Sequence, residues 1–413
     1  MRVATHRAPH LVLGEHEFDV PLDHASPERG KLIVFAREVV SPDRERDELP
    51  WLVFLQGGPG HESPRPLQLL SKSWLERALE DYRVLFLDQR GTGRSTPVGD
   101  LAGLSAEEQA EYLTHFRADS IVRDAELIRH QLGSDPWTVL GQSFGGFCVV
   151  TYLSQAPEGL AAALLTGGLP PLERHPDDVY GATYERTAAK NRAYYERYPE
   201  DRQRVVDIFE RLEADEVPLP AGDRLTQRRF RQLGQLLGMG DGFERLHYLI
   251  ELPFGSRAFL HDVEVAYPFS RNPLYAVIHE ACYASGAATR WSADRLFPDE
   301  FRDDPLLLTG EHVYPWMFEE YGELRPLAGA AEILAEHEWP ALYDAERLRE
   351  SDVPAAAVIY AEDMYVERTF SEETAASIRG LRPWLTNEYE HDGLRQDGGR
   401  VLGRLLDLIQ GRA

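Results

Sequence analysis

The chain has 413 residues, of which 43% are hydrophobic and 27% are charged. A chain of this length is too long for one small domain, so we expect one large domain with an insertion, or two domains. The formal net charge of −25 argues against nucleic acid or an anionic membrane surface as a partner, since both repel an acidic protein surface.

The cysteine content and the N-terminal segment bear on the compartment. The two cysteines, Cys148 and Cys282, give neither a disulfide framework nor a metal-ligand spacing. Residues 1–7 are not followed by a continuous apolar stretch, so we expect no signal peptide. No run approaches the roughly 18 apolar residues of a membrane span. We therefore expect a cytoplasmic protein that does not enter a membrane.

The first part of the chain predicts strands. Residues 17–20 and 31–40 are apolar or β-branched runs on either side of a polar turn at 23–30, which predicts an antiparallel hairpin. The short runs 51–56 and 83–88 are almost wholly apolar. Such runs are typical of strands that are buried on both faces of a sheet.

Two loops follow these buried strands. Because the strands of an α/β sheet end at its active face, the glycine-rich segment 57–60 and the polar segment 89–95 are both expected near a functional site. The glycine pair allows the backbone to turn its N–H groups inward. The segment 57–60 is therefore a candidate for half of an oxyanion-binding site, and an ordinary Gly-Pro turn is the alternative.

Strands and helices then alternate along the chain. Residues 105–132 carry a helical apolar pattern, 136–140 predict a strand, 147–155 predict a helix and 161–166 predict the next strand. This alternation is typical of a parallel sheet with crossover helices. The predicted fold class is therefore α/β, with a mostly parallel central sheet and flanking helices.

A sharp turn with a serine at its tip joins the strand at 136–140 to the helix at 147–155. Its sequence is Gly-Gln-Ser-Phe-Gly, residues 141–145. Glycine is needed two residues to either side of the serine because a side chain there would collide in so tight a turn. The turn presents the hydroxyl of Ser143 at the top of the sheet and at the N-terminus of a helix, so Ser143 is the candidate nucleophile.

The chain changes character after the strand at 161–166. Residues 172–339 carry long charged and aromatic helical patterns without short buried strands, and strand-like runs return beyond them. We therefore predict a catalytic core formed by 1–171 and 340–413. Residues 172–339 are predicted to be an inserted helical cap over the face that bears the serine.

A serine nucleophile of this kind needs a histidine base and a carboxylate, in the chain order serine, acid, histidine. The strand-like run 353–360 leads to two adjacent carboxylates, Glu362 and Asp363. Neighbours on a loop point in different directions, so only one can face the base, and we predict Asp363. The run 385–389 is followed by His391, which its position identifies as the candidate base.

This set of residues predicts acyl transfer to and from the serine. His391 takes the proton of the Ser143 hydroxyl, and Asp363 orients the imidazole. Backbone N–H groups near Gly58 and Phe144 hold the oxyanion, and each good donor contributes roughly 3–4 kcal/mol. Water then releases the acyl group. Neither a metal nor an organic cofactor is needed for this chemistry.

Three segments together resemble one family. Residues 57–60, 88–95 and 141–146 are similar to motifs of the proline iminopeptidases (prolyl aminopeptidases), and so are the segments that begin at Asp363 and His391. The resemblance implies a serine peptidase of the α/β-hydrolase fold, from the longer-chain branch of the family. One position departs from the pattern, because many members have histidine where this chain has glutamine before the glycine pair.

The resemblance also implies the substrate and the groups that bind it. The family cleaves N-terminal proline from peptides, which implies cap carboxylates for the charged imino group and a small apolar pocket for the ring. Glu280 and Glu251 lie in apolar stretches of the cap, where an unpaired carboxylate is costly. They are the candidate carboxylates, and a salt bridge or a solvent-facing position is the alternative for each. Four aromatic residues are candidates for the apolar wall: Phe144, Phe147, Tyr283 and Trp291.

Two other functions stay open. An esterase, lactonase or amidase of the same fold would keep the catalytic residues and take a different acyl substrate. A non-catalytic relative that acts as a binding protein is the second, although such relatives usually lose one of the three catalytic residues. The expected partner is a small peptide with a free N-terminal proline.

Overall fold

The computed structural model describes residues 2–66, 69–267 and 269–412. Its strands, numbered in chain order, are β1 (Arg2–Ala8), β2 (Leu11–Pro21), β3 (Lys31–Val40), β4 (Trp51–Leu55), β5 (Arg83–Leu87), β6 (Trp137–Gln142), β7 (Leu160–Thr166), β8 (Val217–Pro218), β9 (Arg224–Leu225), β10 (Ala355–Tyr360) and β11 (Leu381–Thr386). Its α-helices are α1 (Trp74–Leu79), α2 (Ala106–Leu113), α3 (Ala118–Gln131), α4 (Phe144–Gln155), α5 (Pro176–Arg197), α6 (Pro199–Ala214), α7 (Gln227–Arg231), α8 (Gly242–Ile250), α9 (Arg257–Val265), α10 (Pro273–Ile278), α11 (Ser292–Arg295), α12 (Asp299–Asp303), α13 (Met317–Glu320), α14 (Ala328–Ala335), α15 (Ala345–Glu350), α16 (Arg368–Ser377), α17 (Gly393–Gln396) and α18 (Gly398–Ile409).

A 9-stranded sheet forms the centre, in the order β1-β2-β3-β5-β4-β6-β7-β10-β11. The pairings from β1 to β5 are antiparallel, and every pairing from β5 to β11 is parallel. The predicted α/β fold with a mostly parallel central sheet is therefore confirmed. The antiparallel hairpin expected near the start is present as β2 and β3.

Alternating side chains of the buried strands supply two hydrophobic layers. In β4, Leu52 and Phe54 belong to the layer that contains α1 and α18. Val53 and Leu55 belong to the layer that contains α3 and α4. Because both faces are covered, β4 is a continuous apolar run, and polar chemistry is confined to the ends of the strands.

The segment between β7 and β10 is mostly helical. It contains α5 to α15 and, of the described strands, only the short antiparallel pair β8 and β9. Tyr180 and Phe230 of this segment belong to the same hydrophobic cluster as α3 and α4, so the helices pack directly on the core. The domain boundaries at residues 171 and 340 stay a prediction. Among the described helices, none has the length and apolar character needed to cross a bilayer.

Three elements differ from expectation. The helix expected at 105–132 is divided into α2 and α3. The helix is interrupted at Arg117, whose backbone is extended (φ −84°, ψ 176°) and whose guanidinium lies over the ring of Trp339. Strand β11 begins four residues before the predicted run at 385–389. It is an edge strand with several exposed side chains, so an apolar run does not mark it. Strand β1, also at an edge, was not predicted.

The polar segment after β5 lies directly behind the glycine-rich loop. Asp88 accepts hydrogen bonds from the backbone N–H of Ser63 at 3.2 Å and from both terminal nitrogens of Arg65 at 3.0 Å. Gln89 donates to the backbone carbonyl of Gln56 at 3.0 Å. The residues before and after the glycine pair are thus held by neighbouring side chains of one segment.

Arg90 of the same segment is buried and connects three parts of the chain. Its guanidinium donates to both carboxylate oxygens of Asp124 on α3, at 2.6 and 2.7 Å. It also donates to the backbone carbonyls of Pro21, Leu22 and His115, and it lies 3.1 Å from Nε2 of His24. Both charged groups are almost wholly buried, with 1% of each residue exposed.

Replacing Arg90 is expected to destabilise the fold strongly. The Arg90→Met variant removes the guanidinium from the buried carboxylate of Asp124 and leaves the ring of His24, at 2.8 Å, as its side-chain contact. Loss of one partner of a buried ion pair costs about 3–5 kcal/mol of unfolding free energy. Urea denaturation measures this change. Arg94→Met is the matched control, because Arg94 is 41% exposed and pairs with Glu15 and Glu17 at the surface, an arrangement worth about 1 kcal/mol or less. Equal losses in the two variants would contradict the expectation.

Candidate active site

Ser143 lies at the turn between β6 and α4 in a strained conformation. Its φ of 55° and ψ of −124° are rare for a residue with a side chain, and such strain costs about 1–3 kcal/mol. A Cβ on Gly145 would lie 2.0 Å from the carbonyl oxygen of Leu55, and one on Gly141 would lie 2.3 Å from the carbonyl oxygen of Gly145. Close packing of α4 against β4 therefore requires glycine at 145, and its packing against the end of β6 requires glycine at 141. These contacts hold the serine at the strand ends.

A cavity of about 610 Å³ opens at Ser143. His391 and Gly58 contribute to the same wall, as do Tyr365 from the loop after β10 and Glu311 from the helical segment. The cavity therefore lies between the carboxyl ends of the strands and the inserted helices, where a substrate is in reach of residues from both.

Asp363 and His391 meet at this wall. The Nδ1 atom of His391 and the Oδ2 atom of Asp363 are 2.6 Å apart. The other oxygen of Asp363 accepts hydrogen bonds from the backbone N–H groups of Tyr365 at 2.9 Å and Val366 at 3.0 Å. The neighbouring carboxylate of Glu362 points away, and 64% of its side chain is exposed. The structure thus brings Asp363, and not Glu362, to the histidine.

The surroundings of His391 strengthen it as a base. Burial favours the neutral imidazole, but the charge and the hydrogen bond of Asp363, together with the charges of Glu311 and Asp392, outweigh that effect. The pKa of His391 is therefore raised above its ordinary value of 6.5. The same carboxylate stabilises the imidazolium that forms when the ring takes up a proton.

Two backbone donors lie beside the serine. Phe144 is the first residue of α4, so its N–H group has no acceptor within the helix. Gly58 lines the cavity and has a φ of 128°, which glycine adopts without strain. A Cβ on Gly57 would lie 3.0 Å from the Cβ of Ser143. The glycine-rich loop therefore passes close to the side chain of Ser143.

Glu280 and Glu251 are not among the described residues of the cavity wall. Glu280 is buried, and its carboxylate accepts hydrogen bonds from the backbone N–H groups of Ser292 at 3.2 Å and Ala293 at 2.9 Å. Burial raises the pKa of Glu280 in spite of these hydrogen bonds. Glu251 lies at the exposed C-terminal end of α8. The carboxylate of Glu280 thus binds the start of α11, and that of Glu251 faces solvent.

The four aromatic candidates for the apolar wall also lie outside the described cavity wall. Phe144 and Phe147 have ring centroids 6.2 Å apart, and Tyr283 packs on Phe147 at 5.6 Å. Trp291 packs against Phe318 at 5.7 Å. Apolar and aromatic side chains from both the core and the helical segment form the wall instead: Phe54, Trp74, Met239, Tyr275, Tyr365 and Leu394.

Glu311, which the sequence interpretation missed, does line the cavity. Its Oε1 atom accepts a hydrogen bond from the hydroxyl of Tyr275 at 2.6 Å, and its Oε2 atom is 3.6 Å from Nε2 of His279. Burial favours the protonated acid, but His279, Tyr275 and the charge of His391 outweigh it and lower the pKa of Glu311. An ionised carboxylate therefore faces the cavity at neutral pH.

The signal that could have identified Glu311 is the one that selected Glu280. Most residues at 306–314 are apolar or small, so a glutamate among them is costly without a partner or a role. This segment is a loop between α12 and α13. The cap helices were predicted from helical periodicity, and this segment has none, so Glu311 was not selected.

The chain is similar to one protein-family model and to two proteins over almost their whole length. The family model described as the alpha/beta hydrolase fold matches residues 50–251. A proline iminopeptidase of Aeromonas sobria is 49% identical over 407 residues, which are 95% of this chain and 95% of the relative. Proline iminopeptidase aneH of Aspergillus aculeatus is 35% identical over 426 residues, covering 96% of this chain and 94% of the relative.

A solved structure from Mycobacterium smegmatis, titled proline iminopeptidase, covers 96% of this chain and 98% of its own at 12% identity and a TM-score of 0.48. That likeness is too distant to bear on function, and the assignment follows from the two relatives that match almost from end to end. The chain belongs to the proline iminopeptidase family of the α/β-hydrolase fold.

Proposed function

We propose that the chain is a serine exopeptidase that releases N-terminal proline from peptides through an acyl-enzyme. The observation that carries the proposal is the presence of an ionised carboxylate, Glu311, in the same cavity as Ser143 and His391. The names of the two full-length relatives agree with it. The proposed partner is a small peptide with a free N-terminal proline, and a cytoplasmic location stays a prediction from the sequence.

The chemistry proposed for the site begins at Ser143. Its Oγ attacks the carbonyl carbon of the N-terminal residue while His391 accepts the hydroxyl proton. Asp363 keeps the proton of the imidazole on Nδ1, so that Nε2 is free to act as the base. The imidazolium then gives its proton to the departing amine. Water attacks the acyl-enzyme with His391 again as the base, which releases proline and restores the serine.

The N–H groups of Gly58 and Phe144 are proposed to hold the oxyanion. Charge develops on the carbonyl oxygen during the attack, and donors that are already fixed by the fold need no reorganisation to stabilise it. The N-terminus of α4 adds a favourable partial charge at the same point. Gln89 donates a hydrogen bond to the carbonyl of Gln56 and Asp88 accepts one from the N–H of Ser63, so the chain is held on either side of the glycine pair.

Glu311 is proposed to bind the positively charged imino group of the substrate. Of its side-chain surface, 23% is accessible, and two of its neighbours, Tyr275 and His279, hold the carboxylate in place. A carboxylate with this support gives a charge-assisted hydrogen bond to an imino group, worth about 1.5–3 kcal/mol. Glu280 is a poorer candidate because backbone N–H groups occupy its oxygens.

The alternative function, an esterase, lactonase or amidase with a neutral acyl group, is less compatible with the cavity. A substrate without a positive charge would cover the ionised carboxylate of Glu311 without pairing it, and burial of an unpaired charge is unfavourable. A substrate with a free imino group pairs the carboxylate as it binds.

Replacing the nucleophile tests the acyl-enzyme. The Ser143→Ala variant is expected to lose turnover of a prolyl arylamide by at least about 10³-fold, since the nucleophile of such a site carries most of the acceleration. Circular dichroism and thermal unfolding should show an intact fold. A fluorophosphonate probe should label the unaltered chain and leave the variant unlabelled. Labelling at another residue would contradict the assignment.

Replacing Glu311 tests the amine anchor. The Glu311→Gln variant keeps the size of the side chain and removes its charge, so KM for a prolyl arylamide should rise about 10-fold to 100-fold. Turnover of an N-acetylprolyl ester, which has no positive charge, should change much less. Glu251→Gln is the matched control because its carboxylate is exposed. A similar loss on both substrates would refute the anchor role.

The raised pKa of His391 predicts a pH dependence. The base works only when it is neutral, so kcat/KM for an N-acetylprolyl ester should rise with pH through a value above 6.5. This ester has no imino group to titrate. In Glu311→Gln one carboxylate that favours the imidazolium is gone, so the acidic limb should move to lower pH. A limb that moves to higher pH, or does not move, would disagree with the charges found around the histidine.

A further inference from the structure

The catalytic cavity contains a second charged group of opposite sign to Glu311. Two guanidinium groups line it, from Arg245 on α8 of the helical segment and from Arg395 on α17 of the core. Their side chains are 49% and 58% exposed, so they lie where the cavity opens to solvent. The carboxylate of Asp392 also lines the cavity and pairs with Arg395, so Arg245 is the guanidinium with more capacity left for an anionic group of a ligand.

One carboxylate holds the two arginines together. The Oδ1 atom of Asp241 is 3.1 Å from Arg395 and 3.9 Å from Arg245. Arg395 also donates from Nε to Asp392 at 3.0 Å. Among the described residues, Arg245 makes no side-chain hydrogen bond, so its donors are available to a ligand. The shared carboxylate positions the pair and leaves hydrogen-bonding capacity unused.

Both arginines belong to segments that lie next to His391 in the fold. In the proposed reaction His391 gives a proton to the departing amine, so that amine must lie next to the imidazole. Arg395 follows His391 by one helical turn, on the same loop and helix. Arg245 comes from the helix that begins just after Gly238, whose carbonyl accepts the backbone N–H of His391 at 3.2 Å.

The side chains that hold Glu311 are different from those that hold Arg245 and Arg395. Tyr275 and His279 hold Glu311, whereas Asp241 and Asp392 hold the arginines. No ion pair within 4 Å links the two groups in the described part of the chain. Apolar side chains of the shared wall, among them Trp74, Met239 and Leu394, complete the lining.

We propose that Arg245 and Arg395 bind the C-terminal carboxylate of a short peptide whose imino terminus is bound by Glu311. The substrate class is then a peptide of two or three residues with N-terminal proline and a free carboxyl group. Trp74, Met239 and Leu394 contact the side chain that follows the proline. This inference rests on the proposed function and adds a subsite for the leaving group to it.

The net charge of the protein bears on how a preference for a free peptide carboxylate could arise at Arg245 and Arg395. A chain with a formal charge of −25 repels peptide carboxylates in general. Preference for a free carboxylate over a neutral amide must therefore come from local cations at the site. Because both guanidinium groups are about half exposed, the preference is also expected to weaken as salt screens them.

The test compares peptides that differ only at the C-terminus. We would measure kcat/KM for Pro-Leu and Pro-Leu amide, and for Pro-Leu-Gly and its amide. The unaltered enzyme is expected to prefer the acid about fivefold in at least one of the two lengths, in keeping with a partly exposed charge pair. In Arg245→Gln and in Arg395→Gln the acid-to-amide ratio should fall towards one, and in Arg245→Glu it should fall below one.

Arg257→Gln is the matched control. Arg257 is an exposed arginine at the start of α9 and is absent from the cavity wall, so this variant changes the net charge equally and should keep the acid preference. Raising NaCl from about 0.05 M to about 0.5 M should reduce the preference in the unaltered enzyme. Prolyl arylamide turnover, measured in parallel, reports the proposed chemistry and the fold of each variant.

The outcomes separate the two proposals. Arylamide turnover without any acid preference, or an acid preference that survives in both arginine variants, overturns the carboxylate subsite and leaves the exopeptidase proposal standing. An unaltered enzyme that cleaves neither the arylamide nor the prolyl peptides overturns both. An acid preference that is lost in the arginine variants, and kept in Arg257→Gln, supports the subsite.

Discussion

The close approach of helix α4 to strand β4 is the constraint on which the site depends. At Gly145 the backbones come so near that a Cβ would lie 2.0 Å from the carbonyl oxygen of Leu55. The packing of a wholly buried helix offsets the strain at Ser143, which has no relaxed conformation available in that turn. The same approach places the N-terminus of α4, with Ser143, beside the glycine-rich loop.

The fold and much of the site were predictable because they follow from short-range patterns. Buried strands appear as apolar runs, and the carboxyl ends of parallel strands share one edge of the sheet. Ser143 and Asp363 each follow such a run, and His391 follows the edge strand β11, in the expected chain order, which is why local sequence is enough to nominate them. Adjacent loop residues point in different directions, so only one of Glu362 and Asp363 can face the base, and the distance of 2.6 Å to the imidazole agrees with the choice of Asp363.

The cap residues were not predictable in this way, because their roles depend on how helices cross. Glu280 and Glu311 both lie in apolar surroundings, and sequence alone does not tell which carboxylate is used by a helix end and which faces the cavity. In the structure Glu280 accepts two backbone N–H groups at the start of α11. The break at Arg117 has a similar origin, since its partner Trp339 lies far along the chain.

The hydrogen bonds of Arg90, the buried arginine after β5, bear on how much of the N-terminal chain the site needs. Two of its acceptors, the carbonyls of Pro21 and Leu22, belong to the end of β2 and the turn after it, and the adjacent Gln89 holds the carbonyl of Gln56. The region shared with the broader fold family begins only at residue 50. For protein engineering, the opening hairpin is therefore not a removable extension: a minimal chain that started at residue 50 would keep Ser143 but loosen the support of the glycine-rich loop beside it.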